Sequence, residues 1–244
     1  MIKRTCLAVL ALTCASAVQA KQKSAFPVMP DHVTSGIQVE ALDNASLGAA
    51  GIAARDLAPL PLNLIKDFES WVPDAYNDAS MFCTIGYGHL IAKKACAISS
   101  KELAAYLRPM PMQAGLDLLD KDTKAARIAV QNLVHRPLSD EQFGAVVSFV
   151  FNVGAANFSS STMLLYLNNG EYDGAARQFP KWVKSKGVVL NGLVTRRACE
   201  AALFSAKLPS HPNGEFMRAD CASNGAAPSV DELIDIGVGE TSHR

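Results

Sequence analysis

A chain of 244 residues with 49% hydrophobic and 19% charged residues holds enough apolar material for one domain with a true core, and two full domains would be a tight fit. Its 23 Lys and Arg balance 23 Asp and Glu, which excludes a global electrostatic pull toward nucleic acid. The balance is uneven along the chain: residues 58–208 carry 16 basic against 13 acidic side chains, a net of +3, and a mildly basic domain between more acidic flanks fits an anionic polymer as substrate.

The N-terminus comes first. Lys3 and Arg4 precede an uncharged run from Thr5 to Ala20 that ends in Val18-Gln19-Ala20. A charged start, a short apolar stretch and small residues at the end describe a secretory signal peptide over residues 1–20, and hence a secreted or periplasmic product. The rival reading is a membrane anchor, but the 16 uncharged residues fall short of the ~20 that span a bilayer, and no other segment is apolar enough to cross one. Residues 21–57, rich in Ser, Ala and Gly without periodicity, read as a flexible linker. Residues 209–244 read as an irregular tail.

Removal of residues 1–20 takes Cys6 and Cys14 away and leaves Cys83, Cys96, Cys199 and Cys221, an even number in an oxidising compartment. Three pairings are possible. The local one, Cys83 with Cys96 and Cys199 with Cys221, is preferred because each bond closes a short loop. A zinc site is rejected, since no C-x-x-C pair and no close pair of histidines is present, and nothing in the chain calls for another metal or an organic cofactor.

Within residues 58–208 the signals are mostly helical. Leu62, Ile65 and Phe68 follow Pro59 and Pro61 at helical spacing and predict a helix over Leu62–Trp71. Residues 74–90 read as a small strand-and-hairpin region. Ser99 with Glu102 predicts a capping box and a helix start, and residues 112–134 predict one long helix or two shorter ones. Ser139 with Gln142 predicts a second capping box, opening a helix that is apolar nearly all round and stops at Gly154, so it must be buried on most sides. Further helices are predicted over Ser161–Asn168, Tyr172–Trp182 and Thr195–Phe204. A small β region followed by a helical bundle is an α+β architecture.

Three residues carry the chemistry. Glu69 sits one position after Phe68 and four after Ile65, so its carboxylate points toward the apolar stripe, where a charge needs a reason. Asp78 lies in the turn-like stretch Tyr76-Asn77-Asp78-Ala79-Ser80. Thr84 opens the strand-like run Thr84-Ile85-Gly86-Tyr87-Gly88-His89, in which alternation puts Thr84, Gly86 and Gly88 on one face, a hydroxyl beside bare backbone. Two carboxyl groups and a hydroxyl across a cleft are what inverting glycoside hydrolysis needs, with the carboxyls ~6.5–9.5 Å apart to admit a water.

Phe68-Glu69, Asp78 at that spacing, and Thr84-Ile85-Gly86-Tyr87-Gly88-His89 resemble the active-site signature of the phage-type lysozymes, glycoside hydrolase family 24. SDEQFGAVVSFVFNVG over residues 139–154 resembles the family's buried central helix, the run from Ser161 through Trp182 its next two helices, and Gly192 to Arg197 with Glu200 its closing helix. The resemblance covers about residues 60–206. It implies a lysozyme-like fold and a muramidase that cuts the β-1,4 bond between N-acetylmuramic acid and N-acetylglucosamine, with peptidoglycan glycan strands as partner and the chain a monomer.

The resemblance further implies that Glu69 is the general acid, that Asp78 orients or activates the attacking water, and that Thr84 helps to hold it. Gly88, Leu90, Phe151 and Ser161 align with substrate-binding positions, although Phe151 reads equally well as core. His89 matches a structural histidine, and Arg196 or Arg197 the arginine that pairs with the family's glutamate. Two departures stand out: Ser70 and Met81 occupy positions where family members commonly carry glycine. A non-catalytic wall-binding module of the same fold and a chitin-cleaving hydrolase are the competing functions, and the intact Glu69, Asp78 and Thr84 argue against the first.

Overall fold

The computed structural model describes residues 53–209, 211, 215–221 and 227–240; the expected signal peptide and residues 21–52 of the expected linker lie outside them. Two prolines open the first element. Proline fixes φ near its helical value and lacks an N–H that a first turn could not use, so α1 begins at Pro59, ahead of the Leu62 start that periodicity suggested, and runs Pro59–Glu69. Its end is set by Ser70, whose backbone turns to φ 58°, ψ 146°. Leu64, Ile65, Phe68 and Glu69 face inward.

The chain then forms a three-stranded antiparallel meander in the order β1 (Val72–Asn77), β2 (Cys83–Gly86), β3 (His89–Ala92). Tyr76 pairs with Thr84, and Thr84 with Leu90. One face of the sheet carries a small apolar cluster of Ala75, Cys83, Ile85, Cys96, Leu103 and Met110. A disulfide joins Cys83 to Cys96 beneath it.

A 3-10 turn, Cys96–Ile98, leads into α2 (Ser100–Leu103). The capping box expected at Ser99 does not form. The preceding 3-10 turn holds Ser99 at φ −110°, ψ 26°, its hydroxyl donates back to the Ala95 carbonyl at 2.9 Å, and Glu102 pairs with Lys94 at 2.8 Å instead. Residues 112–134 make a single helix, α3 (Met112–Leu133), of 22 residues and hence about 33 Å. Its start packs Ala114 and Leu118 on the small cluster, while Leu119, Ala126 and Val130 enter the main core, so α3 ties the β region to the helical body. Gly115 permits this approach: a Cβ there would stand 2.0 Å from the Trp71 ring.

The second capping box is complete. The Ser139 hydroxyl accepts from Gln142 N–H at 3.1 Å, and the Gln142 side-chain Oε1 accepts from Ser139 N–H at 3.1 Å. The helix it opens, α4 (Asp140–Val153), buries ten of its 14 residues and is the centre of the core. Each buried Val or Phe contributes roughly 1.5–3 kcal/mol.

Short helices α5 (Ala155–Ser159), α6 (Thr162–Asn169) and α7 (Tyr172–Ala176) follow. The helix expected to reach Trp182 stops at Ala176 and gives way to a 3-10 turn over Phe179–Lys181, because Pro180 has no N–H to continue the ladder. A hairpin of β4 (Lys184–Ser185) and β5 (Val188–Val189) precedes α8 (Asn191–Phe204), which starts four residues before Thr195 and lies against α4. A second disulfide joins Cys199 to Cys221. Beyond it the Ile234 N–H donates to Lys181 O at 2.7 Å, and Ile236 is buried in the main core. Helices combined with a three-stranded sheet and a two-stranded hairpin give the α+β class expected from the sequence.

Candidate active site

Glu69 ends α1 only 3% exposed, and its charge is answered by one residue of α8: Arg196 donates from Nη1 to Glu69 Oε1 at 2.7 Å. Of the two arginines that the sequence offered, the partner is therefore Arg196. The pair belongs to a buried network. Arg196 Nε donates to Glu200 Oε1 at 3.1 Å, Ser148 Oγ to the same oxygen at 2.6 Å, and Arg197 Nη1 to Glu200 Oε2 at 2.5 Å. Arg197 also donates to the Trp182 carbonyl at 3.0 Å and to the Asn152 side chain. Two acids and two bases thus meet between α1, α4 and α8, where each charge needs its partner.

Burial pushes the Glu69 carboxyl above its ordinary value, and the charge and hydrogen bond of Arg196 pull it down without cancelling that rise; Glu200 and Asp122 add upward pushes of their own. The result is a carboxyl that holds its proton more tightly than a solvated one. Its second oxygen, Oε2, lies 3.6 Å from where a Cβ on Gly88 would be. Gly88, with φ +77°, therefore presents bare backbone to the acid.

Asp78 follows β1 and is 7% exposed. Its Oδ1 accepts from the N–H groups of Ser80 and Phe82, both at 2.8 Å, a turn that fixes the carboxylate by its own backbone. Thr84 is 3% exposed on β2, and its hydroxyl donates to the Phe82 carbonyl at 3.3 Å. Cys83 and Ile85 point to the small apolar cluster, so Thr84 faces the other way, as alternation requires.

The alternation expected for the glycines holds only in part. At Gly86, φ +69° ends the strand, and a Cβ there would meet Met110, Trp71 and Gly115 on the far side of the sheet from Thr84. Leu90 is half-buried opposite Thr84, and Phe151 is half-buried against the main core. The Ser161 hydroxyl caps α6, accepting from Leu164 N–H at 3.1 Å and donating to Phe158 O at 2.8 Å, so its bonds go to the backbone.

His89 bonds through Nδ1 to Asp122 at 2.9 Å and through Nε2 to the Tyr106 hydroxyl at 2.9 Å, the hydrogen-bonded support expected of it. Both glycine-position departures take positive φ, Ser70 at 58° and Met81 at 63°. The sequence reading passed over Tyr76, Ser148 and Asn152. Tyr76 had a signal in retrospect, because it lies two residues before Asp78 on the strand that leads to it. The polar residues of α4 had only their interruption of an apolar run.

A family model of phage lysozyme matches residues 66–200, over half of the chain. The chain belongs to the phage lysozyme family. The endolysin of Bacillus phage B103 is 40% identical over 146 residues, which cover 59% of this chain and 51% of that protein, so the chain spans about half the length of this relative. The endolysin of Acyrthosiphon pisum secondary endosymbiont phage 1 is 34% identical over 150 residues, 59% of this chain and 94% of its own length. Among solved structures, the muramidase domain of SpmX from Asticaccaulis excentricus superposes with a TM-score of 0.52 at 32% identity, covering 62% of this chain and 97% of that domain.

Proposed function

We propose that the protein is an exported muramidase that hydrolyses the β-1,4 bond between N-acetylmuramic acid and N-acetylglucosamine in peptidoglycan, with inversion at the sugar. The observation that carries this reading is the state of Glu69: a buried carboxyl with one oxygen on Arg196, the other toward the bare backbone of Gly88, and a proton affinity raised by burial. An acid that stays protonated where a solvated glutamate would ionise is suited to donate to a departing glycosidic oxygen.

Asp78 takes the complementary role. Its Oδ1 is anchored by two backbone N–H groups, which leaves the carboxylate oriented to receive a proton from water. The Thr84 hydroxyl spends its hydrogen on Phe82 O and turns its lone pairs to the same water. The water attacks the anomeric carbon on the face opposite the leaving oxygen, loses its proton to Asp78, and Glu69 gives its proton to the leaving group. Gly88, Leu90, Phe151 and Ser161 line the path of the glycan strand in this reading. Export rests on the charged and apolar pattern of residues 1–20. Among the described residues no helix is long and apolar enough to cross a membrane.

The test is lysis of purified peptidoglycan by the wild type and by Glu69→Gln, which keeps the shape of the side chain and removes its proton. Clearing by the wild type and none by a folded Glu69→Gln is expected; clearing by the variant at near wild-type rate would overturn the assignment of the acid. Proton NMR of early product is expected to show the α-anomer, and an initial β-anomer would remove the water-activating role of Asp78.

A further inference from the structure

Tyr76 is 1% exposed, yet it is part of neither apolar cluster of the described residues. Its neighbours in sequence explain where it points. Ala75 enters the small cluster on one face of the sheet, and the Asn77 side chain turns to that same face to accept from Cys96 N–H at 2.8 Å. Alternation therefore sends Tyr76 to the opposite face, which Thr84 shares as its directly paired residue across the strands, and Asp78 follows two positions on, just beyond β1, near enough for its charge to act on the phenol. The Tyr76 hydroxyl is buried with no hydrogen-bond partner among the described residues. A buried hydroxyl left in this way is destabilising unless something else accepts from it. Burial raises the phenol above its ordinary value, and the charges of Glu69 and Asp78 raise it further, so it is a permanent donor that lies within the field of both carboxyls.

The water assigned to this face needs such a donor. A tetrahedral water that attacks a sugar uses one lone pair on carbon and gives one hydrogen to Asp78. The Thr84 hydroxyl has given its own hydrogen to Phe82 O, so toward the water it acts as an acceptor for the second hydrogen. One lone pair remains. Asp78 as a carboxylate and Thr84 as bonded here are both acceptors, which leaves Tyr76 as the donor of the three.

We propose that Tyr76 is a positioning residue of the reaction centre, whose hydroxyl donates to the attacking water and fixes the direction of its reactive lone pair. The proposal rests on the muramidase reading above. The phenol keeps its proton throughout, and the step it serves is otherwise the one already described.

The experiment compares wild type with Tyr76→Phe, Thr84→Val and the double variant on soluble glycan fragments, with thermal melts of all four. Tyr76→Phe is expected to lower kcat by roughly 10- to 100-fold with KM unchanged, the loss of one hydrogen bond to a reacting group. Its Tm is expected to hold or rise, since the hydroxyl has no protein partner to lose. The double variant is expected to lose less than the product of the two single losses, because both residues hold one water. A Tyr76→Phe enzyme with wild-type kcat, or losses that multiply in full, would overturn the role of Tyr76 while leaving the muramidase reading intact. A fall in Tm that accompanies the fall in kcat would make the hydroxyl a structural prop and overturn it too. A folded wild type that cleaves no glycan would overturn the underlying reading, and the proposal with it.

Discussion

Replacing Ser70 with glycine is expected to stabilise the protein. Ser70 is held at φ 58°, ψ 146°, a region that an L side chain enters only at a cost, and it is where α1 turns into β1 immediately after Glu69. Residues held in such sparsely populated backbone regions cost of order 1–3 kcal/mol. Glycine removes that strain but brings an unfolded chain with more freedom, which offsets about 0.4–1 kcal/mol. The net expected gain is about 0.5–2 kcal/mol, or roughly 1–8 °C in Tm for a domain of this size. Among the described residues the Ser70 hydroxyl has no hydrogen-bond partner that the change would forfeit, and the cap itself is a backbone bond, Ser70 N–H to Lys66 O at 3.0 Å, that glycine keeps. Thermal melts and urea unfolding of wild type and Ser70→Gly would measure the difference, with Ser70→Ala as control: alanine retains the Cβ and should show no gain. Equal melting temperatures for wild type and Ser70→Gly, or a gain shared by Ser70→Ala, would refute the strain argument.

Two other outcomes follow from the charges and crosslinks. Because the folded Glu69 carboxyl binds its proton more tightly than the ordinary value of 4.5, its contribution to stability is full below that pH and is lost as pH rises through the folded value. The Tm of Glu69→Gln relative to wild type is therefore expected to improve as pH is raised from about 4 toward 7, and parallel pH curves from calorimetry would contradict the raised affinity. The Cys199–Cys221 bond closes a separation of 22 residues, so the Cys199→Ser/Cys221→Ser variant is expected to lose about 3 kcal/mol in urea unfolding, and an unchanged midpoint would show that the crosslink constrains little.

What could be read from the sequence was what depends on short-range pattern. The Ser139 capping box, the all-round apolar character of α4 and the local cysteine pairs are each decided within a few dozen residues, and the structure carries all three. The burial of Glu69 followed from its place one residue beyond Phe68. Where the reading failed, a neighbouring element intervened. Ser99 had the right partner at the right distance, but the 3-10 turn before it spun its hydroxyl toward Ala95. Gly86 had the right parity, but its positive φ ended the strand before parity could act. The choice between Arg196 and Arg197 was out of reach because it turns on the rotation of α8 against α4, a tertiary quantity that two adjacent arginines do not record.

That rotation also decides how strongly the acid holds its proton. Arg196 is shared: it donates to Glu69 through Nη1 and to Glu200 through Nε, and Glu200 is bonded in turn by Ser148 and Arg197. A guanidinium devoted to Glu69 alone would hold the carboxylate charged. One divided with a second buried acid leaves Glu69 under less pull than its burial opposes, and the upward push from Glu200 itself adds to the imbalance. Arg197 supports this division by meeting the other oxygen of Glu200, so that Glu200 is held in place against Arg196. The buried quartet thus does more than neutralise charge between three helices. It supplies Glu69 with a partner strong enough to orient one oxygen, and too heavily engaged elsewhere to take the proton's place.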